Sequence, residues 1–140
     1  MVTSNLIGGL GNYLFQIATA YSLARDNKDT IMYDPEKSVI VHNHISTYMD
    51  NILSKVPFGE VEINNEYQEP YFHYSPIPHK NNLKINGYYQ SEKYFTHNRD
   101  KILDLFSFKS DLIDKKYGEL LKNKTCAIHV RRGNYLTLPN

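Results

Sequence analysis

The chain opens with a strand, a glycine turn and a helix in direct succession, and few folds accept that order. Residues 2–7 read as a short strand, Gly8-Gly9-Leu10-Gly11 follows, and Asn12 begins a helical pattern. Leu14, Ile17, Ala18 and Tyr21 fall at i, i+3, i+4 and i+7, the spacing of a buried helical face. Asn12 stands where an N-cap belongs, and the helix should fade near Asn27. Residues 30–33 then read as a second strand. Strand, glycine turn, helix and strand together predict an α/β sheet.

Residues 34–82 give little. Pro35, Pro57, Pro70, Pro76 and Pro78 punctuate them, with Tyr67, Tyr71, Phe72 and Tyr74 between. A short helix is expected over 47–53 and a strand over 83–89. Ser91 should cap a turn into Tyr94 and Phe95. Residues 98–106 and 111–121 read as helices, the second a surface helix. Asn123 and Lys124 form a polar hinge before a last apolar run, and no internal repeat is found.

At 140 residues the chain can bury a real core. Lys and Arg number 16 against 15 Asp and Glu, so there is no electrostatic footprint for nucleic acid or an anionic membrane. Cys126 is the single cysteine, which excludes an internal disulfide. Its apolar neighbours suggest a buried structural thiol rather than a nucleophile. No stretch approaches the roughly 20 apolar residues of a membrane helix, and no basic segment leads an apolar one at the N-terminus. A cytoplasmic location is the expectation, with peripheral membrane association left open.

Three segments could carry chemistry. The glycines of the first turn permit positive φ and close approach to backbone, and the helix N-terminus behind them offers N–H groups to an anion. It is no dinucleotide fingerprint, because Leu14 stands where a third glycine is needed, and no Walker loop, because no Gly-Lys-Ser/Thr follows. A ligand-facing loop and a tight structural turn both remain open. The second segment, Gly87-Tyr88-Tyr89-Gln90-Ser91-Glu92-Lys93-Tyr94-Phe95, has aromatics that suit a core and polar residues that suit a sugar site. The third is the run from Thr125 through Cys126, Ala127, Ile128, His129 and Val130 to Arg131-Arg132-Gly133-Asn134-Tyr135. As a strand it would put His129 and Arg131 on one face, and arginine forks match phosphate oxygens. A phosphate clamp is the simplest reading, with a cleft-facing His129 favoured over a core histidine bonded to backbone. His42, His44, His73, His79 and His97 show no metal-ligand spacing, and no metal site is expected.

Taken in order, Gly8-Gly9-Leu10-Gly11-Asn12-Tyr13-Leu14-Phe15-Gln16, the Gly87 segment and His129-Val130-Arg131-Arg132-Gly133-Asn134-Tyr135 resemble three signature segments of the α-1,2-fucosyltransferase family, glycosyltransferase family 11. The first and third are also similar to the wider α-1,2/α-1,6/O-fucosyltransferase group. The resemblance implies a GT-B enzyme of paired Rossmann-like halves. GDP-L-fucose would lie between them, and fucose would pass with inversion to a galactose 2-hydroxyl. It implies that Arg131 grips the donor pyrophosphate, that Arg132 supports it, and that His129 lines the nucleotide cleft, so Arg131 and His129 are the expected catalytic residues. Gly9, Gly11 and Asn12 would face the donor from the other domain. The implied partners are a nucleotide sugar and a galactose-terminated glycan, with no metal.

The chain departs from the family in three respects. Tyr13 stands where the family carries Gln, and Asn134 where it carries Asp. The family's second half is also mostly absent. On this reading 1–122 is an N-terminal Rossmann-like α/β domain, and 123–140 is the first strand and loop of an incomplete nucleotide-binding domain. A second chain or a homodimer would complete the fold. The alternative is an inactive truncated or split-gene fragment serving as a binding or interaction module. No catalytic base stands out; Glu92 and Asp34 are the weak candidates.

Overall fold

A computed structural model of the chain describes residues 1–40, 44–107, 118, 122, 124–126, 128 and 130. The chain divides into two compact units, Met1–Phe108 and Lys109–Asn140. The first unit carries the strands β1 (Val2–Ser4), β2 (Ile7–Gly8), β3 (Val39–Ile40), β4 (Asn65–Gln68) and β5 (Leu83–Asn86). Its helices are α1 (Leu10–Asp26), the single turn α2 (Ser46–Met49) and α3 (Arg99–Leu105), with 3-10 turns at Pro35–Lys37, Glu92–Tyr94 and Thr96–Asn98.

All strand pairing is parallel among the described residues. β5 lies between β1 and β4, with Val2 opposite Leu83 and Gln68 opposite Asn86. β2 pairs with β3. Residues 30–33, expected as a strand, join the other side of β1 only through an isolated bridge from Val2 to Ile31, and a second bridge links Tyr33 to Phe58. The backbone bonds Val2 N to Thr30 O (2.8 Å) and Gly59 N to Tyr33 O (2.9 Å) carry that extension. Val2, Thr3 and Ser4 are all buried, as a central parallel strand covered on both faces requires. The expected α/β architecture with a parallel sheet is present and compatible with a Rossmann-like domain.

Helix α1 is the main packing partner of this sheet. It starts two residues before the expected cap. Gly9 takes the N-cap position with extended φ −99° and ψ 178°, and Tyr13 N donates to Gly9 O at 3.1 Å. Asn12 is therefore inside the first turn, and its side chain does not cap the helix. The deepest stripe is Tyr13, Ile17, Ala20 and Ala24, all fully buried or nearly so; Leu14 and Tyr21 are only partly buried against the core. Tyr33 crosses beneath the helix and donates its hydroxyl to Ile17 O at 2.7 Å, and burial pushes its phenol well above the ordinary tyrosine range. The helix ends at Asn27, whose Nδ2 donates to Leu23 O at 2.8 Å. Lys28 then takes a left-handed conformation, φ 53°, the usual device for leaving a helix.

Elsewhere the reading was shorter or blank. The 47–53 helix is one turn, β5 stops at Asn86, and β4 was not foreseen. α3 agrees with the expected 98–106, with Asn98 as its N-cap. Of the expected 111–121 helix only Gly118 is described, and it is helical; the arginine-bearing end of the final run lies outside the described residues. In the second unit Cys126 is exposed rather than a buried thiol, and residues 124–126 carry no strand assignment. An apolar strand buries its side chains only against a neighbouring strand or layer.

The edge of the first unit is pinned by Asp29. It accepts from the Met1 ammonium at 2.7 Å and lies 2.8 Å from His79 Nε2. The ammonium, chiefly, holds its carboxyl down to about 2 from 3.8. A depressed carboxylate stabilises the fold above its unfolded pKa, and the contribution is lost as pH falls toward the folded value. Asp29→Asn should therefore cost about 2 kcal/mol at pH 7. In urea denaturation the gap between wild type and variant should close between pH 4 and pH 2; a gap independent of pH would contradict this.

Candidate functional site

The first two signature segments meet in space, and a buried glutamine joins them. Gln16, fully buried on α1, accepts from Ile7 N at 2.9 Å and donates to Ile7 O at 3.2 Å and to Gly87 O at 3.1 Å. Its amide thus behaves as an extra peptide unit between the start of β2 and the turn after β5. A second link crosses outside it, where Gln90 Nε2 donates to Asn12 Oδ1 at 2.8 Å. Two strings 71 residues apart at Gln16 and Gly87 become one surface.

Both glycine turns are shaped to accept these links. Gly8 has φ +100°, and a Cβ there would overlap the Asn12 amide. Gly87 has φ +155°, and a Cβ there would overlap the Glu69 side chain. Glu69 fills that space because its carboxylate accepts from Tyr88 N at 2.7 Å and from Tyr89 N at 3.1 Å. Those bonds hold Tyr89 at φ 51°, a costly conformation for a bulky residue. Tyr89 is buried edge-on to Tyr94, centroids 5.3 Å apart, and burial, then Glu69, drives its phenol pKa up. The aromatics of this segment divide accordingly: Tyr89 and Tyr94 are core, and Tyr88 is at the surface.

The helix N-terminus beside the joint is open. Gly9 provides no side-chain cap and the first turn holds no acidic residue. A Cβ on Gly11 would meet nothing within 4 Å. Such an end attracts anions through its N–H groups and dipole. Gly9, Gly11 and Asn12 lie in this one turn, with Asn12 as the acceptor for Gln90. Arg131, Arg132 and His129 lie outside the described residues.

A cleft of about 610 Å³ opens along the carboxyl ends of β1, β4 and β5, where open α/β sheets bind ligands. Asn5, Gln68, Tyr71, Phe72 and Tyr88 are among its walls. Ser91 and Glu92 are not, nor is Gln90, which is tied to Asn12. Asp34 pairs with Lys37 at 3.0 Å and accepts from Glu36 N, which suits a turn cap better than a base. Among the described residues no cluster of three or more His, Cys, Asp and Glu could hold a metal, and no helix is long and apolar enough to cross a membrane. Gln16 and Glu69 were not singled out from sequence. A glutamine on the apolar face of α1, between Tyr13 and Ala20, was the available signal for the first; Glu69 left none.

No family model and no solved structure matches the chain. Curated glycosyltransferases do. The O-antigen biosynthesis glycosyltransferase WbnK of Escherichia coli is 27% identical over 98% of this chain and 60% of its own length. The galactoside alpha-(1,2)-fucosyltransferase 2 of Oryctolagus cuniculus is 27% identical over 97% of this chain and 41% of its own. The alpha-1,2-colitosyltransferase of Escherichia coli is 24% identical over 98% and 56%. The chain's homologues are thus α-1,2-fucosyltransferases and related glycosyltransferases, and it spans about half the length of these relatives.

Gln16→Leu keeps the volume but strands Ile7 N–H, Ile7 C=O and Gly87 C=O in a partly buried setting. It should cost about 3 kcal/mol, whereas Gln90→Ala, at an exposed link, should cost under about 0.5 kcal/mol. Chemical denaturation of the two variants checks this; equal costs would contradict the account of the joint.

Proposed function

We propose that this chain is part of a glycosyltransferase that moves fucose from GDP-L-fucose to the 2-hydroxyl of a galactoside, with inversion, on a GT-B framework. The observation that carries the reading is the Gln16 joint, which makes one surface of two family signatures beside an α1 N-terminus that has no side-chain cap. The names of the relatives support the reaction class. In this reading Gly9, Gly11 and Asn12 face the donor, Arg131 grips the pyrophosphate with support from Arg132, and His129 lines the nucleotide site. GDP is the leaving group, so fixed positive charge on its pyrophosphate stabilises the charge that develops as the glycosidic bond breaks. The arginines and the helix end supply that charge in place of a metal.

Gly11→Asp separates binding from folding. Gly11 has room for a side chain, and a carboxylate in the first turn of a helix is stabilising, yet it would sit where the pyrophosphate must lie. The thermal midpoint should hold or rise by a degree or two while GDP affinity falls at least tenfold. Arg131→Ala should abolish GDP binding with stability nearly unchanged. Calorimetric titration with GDP, and with UDP as control, reads both; GDP bound equally by wild type and variants would remove the loop and the arginine from the donor site.

A further inference from the structure

The turn after β5 contains the chain's only Asn-Gly step, Asn86-Gly87. An asparagine side chain carries an amide carbon that the next backbone nitrogen can attack, closing a succinimide ring. The attack needs a nitrogen that is free and unscreened, and both conditions hold. Among the described residues the Gly87 N–H makes no hydrogen bond. At this point the pairing of β4 with β5 uses the Asn86 carbonyl instead, which accepts from Glu69 N at 2.7 Å. Residue 87 has no side chain to screen its nitrogen. Asn86 and Gly87 both line the open cleft, where water reaches them.

A restraint stands on the neighbouring strand. Asn86 Nδ2 donates to Glu66 Oε2 at 3.0 Å. Glu66 is opposite Lys84, two positions back from Asn86 in the register, and Lys84 Nζ lies 2.6 Å from its other oxygen. The side-chain amide is thus drawn back along the sheet rather than forward over the Gly87 peptide.

We propose that Asn86-Gly87 is a self-modification site, restrained by Glu66, whose conversion to isoaspartate or aspartate disconnects the Gly87 turn from Gln16. Gly87 N forms a bond to Asn86 Cγ and loses its proton. The Cγ–Nδ2 bond breaks, and Nδ2 leaves as ammonia with that proton. Water then opens the succinimide. Cleavage of its Cγ–N bond gives aspartate; cleavage of its backbone C–N bond gives isoaspartate, in which the main chain runs through Cβ and Cγ. Isoaspartate is the more damaging product here. The Asn86 carbonyl, which accepts from Glu69 N and from Tyr89 Oη at 3.2 Å, passes from the main chain to a free carboxylate. The extra main-chain carbon displaces Gly87 O from Gln16 Nε2. Aspartate sets a carboxylate where Glu66 now receives a donor, and like charges at that range repel.

Peptide mapping by mass spectrometry tests this on the full chain, held at mildly alkaline pH and sampled over time, with isoaspartate separated from aspartate by chromatography. Amide-to-acid conversion should accumulate at Asn86 ahead of every other asparagine. Glu66→Ala should speed it roughly threefold, the worth of one exposed hydrogen bond. Glu66→Gln keeps an acceptor for Nδ2 but gives up the Lys84 pair, so it should convert at the wild-type rate. Glu66 is exposed, and circular dichroism checks that both variants keep the fold. The purified isoaspartate form should melt below the unmodified chain. Conversion in the urea-unfolded chain but none in the folded one would overturn the proposal. So would an unchanged rate in Glu66→Ala, or an isoaspartate form that melts with the unmodified chain. A Glu66→Gln rate equal to that of Glu66→Ala would assign the restraint to the Lys84 pair and overturn it as well.

Discussion

One buried amide organises the ligand-facing edge of this unit. A parallel sheet leaves its strand ends with unpaired backbone groups, and at Ile7, the first residue of β2, and at Gly87, just after β5, those groups are partly buried. Gln16 satisfies three of them from the neighbouring helix. An apolar residue there would pack against the same surroundings and leave three polar groups without partners. The position must therefore be polar, long enough to reach two strands, and able both to donate and to accept. Glutamine meets all three needs without introducing a charge.

The rest of the edge follows from that joint. With Ile7 and Gly87 held together, Gly8 must turn sharply into α1, and Asn12 occupies the space a Gly8 side chain would need. Glu69 plays the matching part on the other side, filling the space at Gly87 and anchoring two amides of a turn that contains a left-handed tyrosine. The result leaves a helix end capped only through the backbone of Gly9, an arrangement that favours an anion.

What could be read from the sequence was local. The helical period of α1, the end at Asn27 and the extent of α3 depend on nearest neighbours along the chain, and they were legible. The start of α1 was misjudged because asparagine is a common cap, whereas here Gly9 caps through its backbone and Asn12 is drawn to Gln90. β4 was illegible because its four residues, Asn65–Gln68, are polar or exposed on alternate positions and gain strand character only from β5. Glu69 escaped notice for a similar reason: nothing near it in sequence reveals that two amides 19 and 20 residues away will need it. The glycines and polar residues of the signature strings were visible as patterns, but the bonds between the strings are tertiary facts.

Amide hydrogen exchange at Ile7 tests the joint most directly. Ile7 lies at a strand end only two residues long, so its amide would exchange rapidly if only β2 protected it. With Gln16 Oε1 accepting its proton inside the core, it should exchange as slowly as the amides of β1 and β5, through the same global opening. Exchange at the rate of the surface turns, while β1 and β5 stay protected, would mean that Gln16 does not hold the two segments together, and the account of the site built on it would fail.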